Sequence, residues 1–299
     1  VTLLAHSISD AKLGNPVNEA DGRIRLTVVG AGMMGIGIAT LGVSRGLDVT
    51  LVDIDPAKAE SAPGKVAGEL RLATLTGALD RDAPLGEVTA TTSLAVGVPA
   101  DAVIEAVVEN AAVKVRVLAD ISGAVGPHVP VVTNTSSIPV DELAAGVPHP
   151  ETVLGIHFMN PAYLIPTVEV VHGSRTSQEI ADSVSTLLAR LGRTGVVVGD
   201  GPGFVTSRVS HRMINDAIKI VEEGRASATD VDLLMQNCLG HPLGPLRTAD
   251  LIGLDNLADS LAVLFDRTGD DTFRPAGLLL AKVAAGDLGR KSGRGFYPY

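Results

Sequence analysis

The segment Leu26-Thr27-Val28-Val29-Gly30-Ala31-Gly32-Met33-Met34-Gly35 joins a β-branched apolar run to the pattern G-x-G-x-x-G. The run has strand length and ends at the first glycine. From Met33 to Arg45 small and apolar residues predominate, and Gly46 supplies a helix end. Val49-Thr50-Leu51-Val52 then reads as a second buried strand, with Asp53 at its end, 23 residues after Gly30. Strand, glycine turn, helix and strand in about 30 residues make one βαβ unit with a right-handed crossover.

In that setting each glycine has a separate task. Gly30 permits the tight turn, Gly32 lets backbone approach a pyrophosphate, and Gly35 lets helix and strand pack closely. The N–H groups of Met33 and Met34, at the helix start, would face the anionic bridge. Asp53 can accept hydrogen bonds from ribose hydroxyls, and its charge repels a 2′-phosphate, so NAD is expected over NADP. Asp55 and the lack of a nearby arginine point the same way. The plain alternative is that the glycines only terminate a strand.

Outward from this unit, short apolar runs recur at Ala102 to Ile104, Val129 to Val132, Val153 to Ile156, Val168 to Val171 and Val196 to Val198. Helical stretches are expected at Pro56 to Leu79, Ala111 to Ala124 and Gln178 to Leu191. This alternation predicts an α/β fold, a doubly wound, mostly parallel sheet of Rossmann type covered on both faces. After Gly199-Asp200-Gly201-Pro202-Gly203 the pattern becomes helical, with Phe204, Val205, Val209, Met213, Ala217, Ile218 and Val221 at helical spacing and no strand signal. The expected organisation is an irregular leader over 1–22, a nucleotide-binding domain over 23–200 and an all-α domain over 201–299.

Composition bounds the partners. The 299 residues are 45% apolar and 19% charged, which excludes a disordered or collagen-like chain. A net charge of −10 argues against nucleic-acid or anionic-membrane binding. No apolar run reaches the roughly 18 residues of a membrane span. The leader lacks a basic start before its apolar stretch and reads poorly as a secretion signal. Cys238, the lone cysteine, excludes an intrachain disulfide and a cysteine-based zinc site and fits a reducing cytoplasm; no metal site is expected.

Seven histidines are present. His128, His149, His172 and His241 lie beside turns or prolines, His6 is in the leader, and His211, beside Arg212, is expected on the polar face of a helix. His157 differs, because it ends an apolar run and would open at the carboxyl end of a strand, where doubly wound sheets bind ligands. Judged alone, it is either a core histidine or a catalytic one. Glu169 lies inside the next run, between Val168 and Val170. If the two strands are neighbours, Glu169 can hold one imidazole nitrogen and leave the other as a base; otherwise it is an edge-strand carboxylate facing water. Ser136 and Ser137 follow another strand, where a turn or cap role competes with a functional one.

Together these residues resemble the 3-hydroxyacyl-CoA dehydrogenase family. The likeness runs through Gly30 to Gly35, Ala100 to Ala106, Glu109-Asn110, Asn134 to Ser137, His157-Phe158, Asn160-Pro161 and Val168 to Val170. In the helical part it continues through Gly201 to Phe204, Gly244-Pro245, Gly289 to Gly293 and Phe296-Tyr297. The resemblance implies an NAD-dependent enzyme in which His157 takes the proton of a substrate 3-hydroxyl, Glu169 orients the imidazole, and Ser136 bonds the reacting oxygen. It places Glu109, Lys114 and Asn160 around the nicotinamide and its ribose, and it implies domain closure and a homodimer built through the helical domain.

Three departures bear on the substrate. Ser207 stands where the family usually has an Asn near the thioester, and it lacks the amide's reach. Pro166 stands where a lysine is common. From Pro56 to Asp82, Lys58, Lys65, Arg71 and Arg81 are balanced by Glu60, Glu69, Asp80 and Asp82, so the nucleotide end of coenzyme A finds little attraction there. The expected substrate is a short 3-hydroxyacyl thioester, on CoA as in fatty acid metabolism or on an acyl carrier protein, for instance a glyceryl-like polyketide precursor unit; a free hydroxy acid stays open. Two other classes stand beside it: a decarboxylating hydroxyacid dehydrogenase, for which Lys219 is the mid-helix lysine candidate, and an NAD-binding sensor without turnover.

Overall fold

The computed structural model describes residues 24–299, and the leader expected over 1–22 lies outside them. In chain order the elements of the first part are β1 (Arg25–Val29), α1 (Met33–Ser44), β2 (Asp48–Val52), α2 (Pro56–Leu75), β3 (Val88–Thr91), β4 (Ala102–Glu105), α3 (Ala111–Val125), β5 (Val131–Thr133), α4 (Val140–Ala144), β6 (Val153–His157), β7 (Thr167–His172), α5 (Gln178–Arg190) and β8 (Thr194–Val198). The second part is helical: α6 (Thr206–Glu222), α7 (Ala228–Leu239), α8 (Pro245–Ile252), α9 (Leu254–Thr268) and α10 (Gly277–Ala284).

The strands form one eight-stranded sheet in the order β3-β2-β1-β4-β5-β6-β7-β8. The chain winds from β1 to β3, crosses back to β4 and continues outward, so the order reverses between β1 and β4. Neighbours pair in parallel except β6 and β7, which are antiparallel. Because successive side chains alternate between faces, each strand feeds two cores. Leu26, Val28, Ile104, Val132 and Ile156 pack on one side with Ile38 and Leu41 of α1 and Val184 of α5. Val29, Val103, Val131 and Val153 pack on the other with Leu118 and Ile121 of α3 and Leu143 of α4. A third core joins the helices of the second part through Ile214, Ile218, Leu246, Leu257, Leu261 and Leu279.

The doubly wound sheet and the all-helical second part match the sequence reading. β3 was not foreseen, because its residues Val88-Thr89-Ala90-Thr91 are only partly covered and carry no apolar run. Helix α2 stops at Leu75 rather than Leu79, where Thr76 turns its hydroxyl back onto the carbonyls of Leu72 and Ala73. Cover on both faces fails at the β8 edge, where Val196 and Val197 are 48% and 65% exposed.

Helix α6 departs furthest from its pattern. Ala217 and Ile218 are buried as their spacing predicts, but Val205 and Val209 are 50% and 64% exposed. Ser207 and His211, at i and i+4, point inward instead. The surface position expected for His211 is therefore corrected: its side chain is inside. No helix among the described residues is long and apolar enough to cross a membrane.

Candidate active site

The glycine turn lies where the strand order reverses. Gly30 has φ +107°, donates its N–H to Val52 O at 2.7 Å, and is pressed so closely against the end of β4 that a Cβ would stand 2.6 Å from Ala106 O. At Gly35 a Cβ would stand 1.7 Å from Gly30 O, so helix and turn meet with no room for a methyl group. Gly32 differs, with no atom within 4 Å of its Cβ position. It is also the N-cap of α1, with no side-chain cap and no acidic residue in the first turn. The N–H groups at Met33, Met34 and Gly35 thus start the helix without a side-chain acceptor, a setting suited to an anion.

Asp53 anchors this turn. Its Oδ2 accepts the Ala31 N–H at 2.8 Å and its Oδ1 the Asp55 N–H at 3.0 Å, which fixes the carboxylate and leaves lone pairs for hydroxyl donors. Open space over Gly32, an uncapped helix start and a held carboxylate at the end of β2 fit the pyrophosphate and ribose of a dinucleotide. Asn160 closes the far side, its Nδ2 donating to Met33 Sδ at 3.1 Å.

His157 and Glu169 face each other across β6 and β7 as register partners. His157 Nδ1 lies 2.7 Å from Glu169 Oε2, with both side chains under 10% exposed. The start of α6 holds the same carboxylate: Val205 and Thr206 N–H donate to Oε1 at 3.0 and 2.9 Å, and Thr206 Oγ1 donates to Oε2 at 2.5 Å. Burial by itself would raise the carboxyl of Glu169, but the bonds from His157 and Thr206 and the imidazole charge outweigh it and hold the group down at about 2. With a carboxylate as acceptor, Nδ1 must carry the proton, and Nε2 is left as the basic nitrogen.

A second polar cluster is centred on Glu109. Its Oε1 accepts from Thr135 Oγ1 at 2.7 Å, Ser136 N–H at 2.8 Å, Ser137 N–H at 2.9 Å, Ser137 Oγ at 3.0 Å and Ser136 Oγ at 3.2 Å. Burial acts to raise this carboxyl, yet Lys114 and these donors together lower it. Lys114 Nζ lies 3.3 Å from Glu109 Oε2 and 2.8 Å from Glu105 Oε1, and its side chain is 1% exposed. Lys114, expected around the nicotinamide and its ribose, is thus sealed between Glu105 and Glu109 and holds the carboxylate that borders the cleft.

Ser207 is buried on α6, and its hydroxyl has no hydrogen-bond partner among the described residues. Lys219 sits thirteen residues after Thr206 along α6, roughly 20 Å at 1.5 Å per residue, and pairs with Asp216 at 3.9 Å. It is too far down the helix to serve at the His157 end. Sequence reasoning missed Thr206 and Glu105. An isolated acid closing the apolar run of β4 was the available signal for Glu105; Thr206, in a plain helix start, gave none.

Comparison with known proteins gives the family. The model of the 3-hydroxyacyl-CoA dehydrogenase NAD binding domain matches residues 25–201, and that of the 3-hydroxyacyl-CoA dehydrogenase C-terminal domain matches 203–299. A probable 3-hydroxybutyryl-CoA dehydrogenase of Bacillus subtilis is 41% identical over 287 residues, which span 92% of this chain and 97% of the relative. The crystal structure of Mycobacterium tuberculosis FadB2 superposes with a TM-score of 0.88 at 38% identity, covering 93% of this chain and 100% of that one. That of (S)-3-hydroxybutyryl-CoA dehydrogenase PaaH1 from Ralstonia eutropha gives 0.84 at 38% identity, covering 93% and 99%. The chain belongs to the 3-hydroxyacyl-CoA dehydrogenase family and is an NAD-dependent oxidoreductase.

Proposed function

We propose that the protein oxidises, or in reverse forms, the 3-hydroxyl of a short 3-hydroxyacyl thioester, with His157 as the general base. The observation that carries this reading is the 2.7 Å bond between His157 and Glu169, itself fixed by the start of α6. NAD, when bound, supplies the acceptor for the hydride that leaves the carbon bearing the hydroxyl. Gly30, Gly32, Met33, Met34, Gly35 and Asp53 would hold its pyrophosphate and ribose, and Glu109 and Asn160 would border the nicotinamide end.

On the protein side, His157 Nε2 takes the hydroxyl proton as the carbonyl forms. Glu169 stays ionised throughout and offsets the imidazolium charge, so the pair gains a positive charge where a carboxylate already waits. Ser136, whose hydroxyl otherwise leans on Glu109, would turn to the reacting oxygen; Ser207 would face the acyl part of the substrate. A sensor that only binds NAD needs none of these groups. The decisive comparison is His157→Gln with 3-hydroxybutyryl-CoA: turnover should fall ~10²–10⁴-fold with NAD affinity retained, and unchanged turnover refutes the role.

A second reading keeps the chemistry but places the acyl group on a carrier protein. It is supported by the balanced charge from Pro56 to Asp82, where the Lys58 and Lys65 that border the cavity beside Gly32 share it with Glu69, itself bonded by Tyr163 Oη at 2.6 Å. Turnover of one short acyl chain on CoA and on a carrier protein separates the two, and a clear preference for CoA ends the second. A cytoplasmic homodimer is part of this proposal; the outward Val205, just before α6, Val209 of α6 and the exposed Leu233, Leu234 and Leu239 of α7 give the helical part the apolar surface such a dimer would cover. Sedimentation of the purified protein tests it.

A further inference from the structure

Helix α6 carries its polar residues to the wrong side. A helix covering a core is expected to turn its apolar stripe inward, yet over its first turns Val205 and Val209 face out while Ser207 and His211 face in. His211 is only 7% exposed, and its Nδ1 is sealed from solvent without a hydrogen-bond partner among the described residues. One turn earlier the residue Ser207 is buried, and its hydroxyl, which is not sealed as His211 Nδ1 is, has no partner among the described residues; the half-buried Ser210 beside them makes no side-chain hydrogen bond to the described residues. Unpaired buried polar groups are costly and uncommon. A leucine in place of His211 would fill the space without that cost, so the imidazole calls for a ligand.

The position says which ligand. Helix α6 begins on Glu169, the partner of His157. His211 is near enough to His157 for the two charges to oppose each other: burial first, then that repulsion, hold His211 down at about 4, which leaves it neutral at ordinary pH. A neutral imidazole has one donor and one acceptor, the complement of an alcohol. Thr206 cannot take this part, because its hydroxyl is already given to Glu169.

We propose that His211 and Ser207 form a polar subsite for the acyl chain, selecting short 3-hydroxyacyl thioesters that carry a second hydroxyl on a carbon next to the reacting one. The subsite rests on the function proposed above and narrows it to hydroxylated acyl groups. The second hydroxyl would bond His211 and Ser207, and a plain hydrocarbon chain would leave both unpaired. Sites built to bond a substrate hydroxyl reject analogues that lack it far more strongly than apolar pockets reject an extra methylene.

The test compares 3-hydroxybutyryl-CoA with its 2,3-dihydroxybutyryl and 3,4-dihydroxybutyryl counterparts. The wild-type protein should turn over one dihydroxy thioester with a kcat/KM at least ~10-fold above the plain one. His211→Leu should lower that preference ratio by at least ~10-fold, and His211→Gln should restore part of it. NAD affinity, measured alongside, shows that each variant is folded, and thioester binding without NAD gives the same ratio independently of turnover. Equal or better use of the plain thioester by the wild type overturns the subsite while leaving the dehydrogenase reading intact. A His211→Leu variant that slows all substrates alike overturns it too. If no thioester is oxidised at all, the reading on which the subsite rests falls with it.

Discussion

His157 and Glu169 are register partners across the antiparallel junction of β6 and β7, and their side chains meet at 2.7 Å. The nine residues between the strands reverse the chain at the one place in the sheet where the direction changes. Directly opposed residues of an antiparallel pair lie on the same face with their Cβ atoms close together. The pair is therefore built by backbone register rather than by a loop, which holds it rigidly. The α6 start then locks the acid, so the second part of the chain helps to set the orientation of a histidine in the first.

Replacing Glu169 by Gln tests that arrangement. The amide keeps the shape but turns an NH₂ group towards donors, since Val205 N–H, Thr206 N–H, Thr206 Oγ1 and His157 all bond this side chain. The imidazole loses its fixed tautomer and its counter-charge. Turnover is expected to drop by ~10²–10⁴, with NAD affinity unchanged, measured by steady-state kinetics and cofactor titration. A loss under threefold would mean that Glu169 serves only the packing of α6.

Much of this was legible in the sequence because backbone needs leave residue-type marks. Gly30 and Gly35 mark close approaches, Asp53 marks the end of β2, and strand and helix runs alternate clearly up to Val198. His157 and Glu169 were visible as polar residues within or ending apolar runs, but their meeting depended on β6 and β7 being antiparallel neighbours, which local pattern does not encode. The spacing of Val205, Val209 and Met213 misled for the same reason: a helix that is apolar on one side and must also face a polar cleft can turn either side inward. The short edge strand β3 escaped because its alternation, Val88-Thr89-Ala90-Thr91, spans only four residues and contains no apolar run.

Gly32 and Gly35 should respond oppositely to the same methyl group. At Gly35 the new Cβ would meet Gly30 O at 1.7 Å, and backbone cannot yield there, so Gly35→Ala is expected to cost at least ~3 kcal/mol. At Gly32 the space is open and the extended backbone, φ −75° and ψ −172°, suits alanine. Gly32→Ala should keep its stability within about 0.5 kcal/mol yet bind NAD at least ~10-fold more weakly, because the methyl group intrudes where the pyrophosphate approaches. Denaturant melts and cofactor titration decide both, and normal NAD affinity in Gly32→Ala would move the phosphate site elsewhere.

Lys114 joins two acids, one of which, Glu105, is fully buried and also bonded by Thr133 Oγ1 at 2.7 Å. Lys114→Met leaves Glu105 as an uncompensated buried charge and should cost ~3–5 kcal/mol. Adding Glu105→Gln removes that charge and should recover a large part of the loss. Urea unfolding of the single and double variants measures the coupling; equal stability of the two would show that the lysine is held for another reason.

Acid sensitivity should fall into two windows. His211 is held below its ordinary value, down to about 4, by burial and by His157, so the unfolded chain takes up its proton first as pH drops. A depressed folded-state value means that stability present above pH ~6.5 is lost as pH falls towards ~4, on the order of 3 kcal/mol for this side chain. Glu169, held down at about 2, adds a lower window in which stability present above pH ~4.5 fades towards pH 2. His211→Leu should therefore flatten the fall in Tm between pH 6.5 and 4 while leaving the steeper loss below it. A variant whose Tm tracks the wild type through the upper window would show that His211 does not titrate on folding, and that its ring is not the buried neutral group on which the acyl subsite depends.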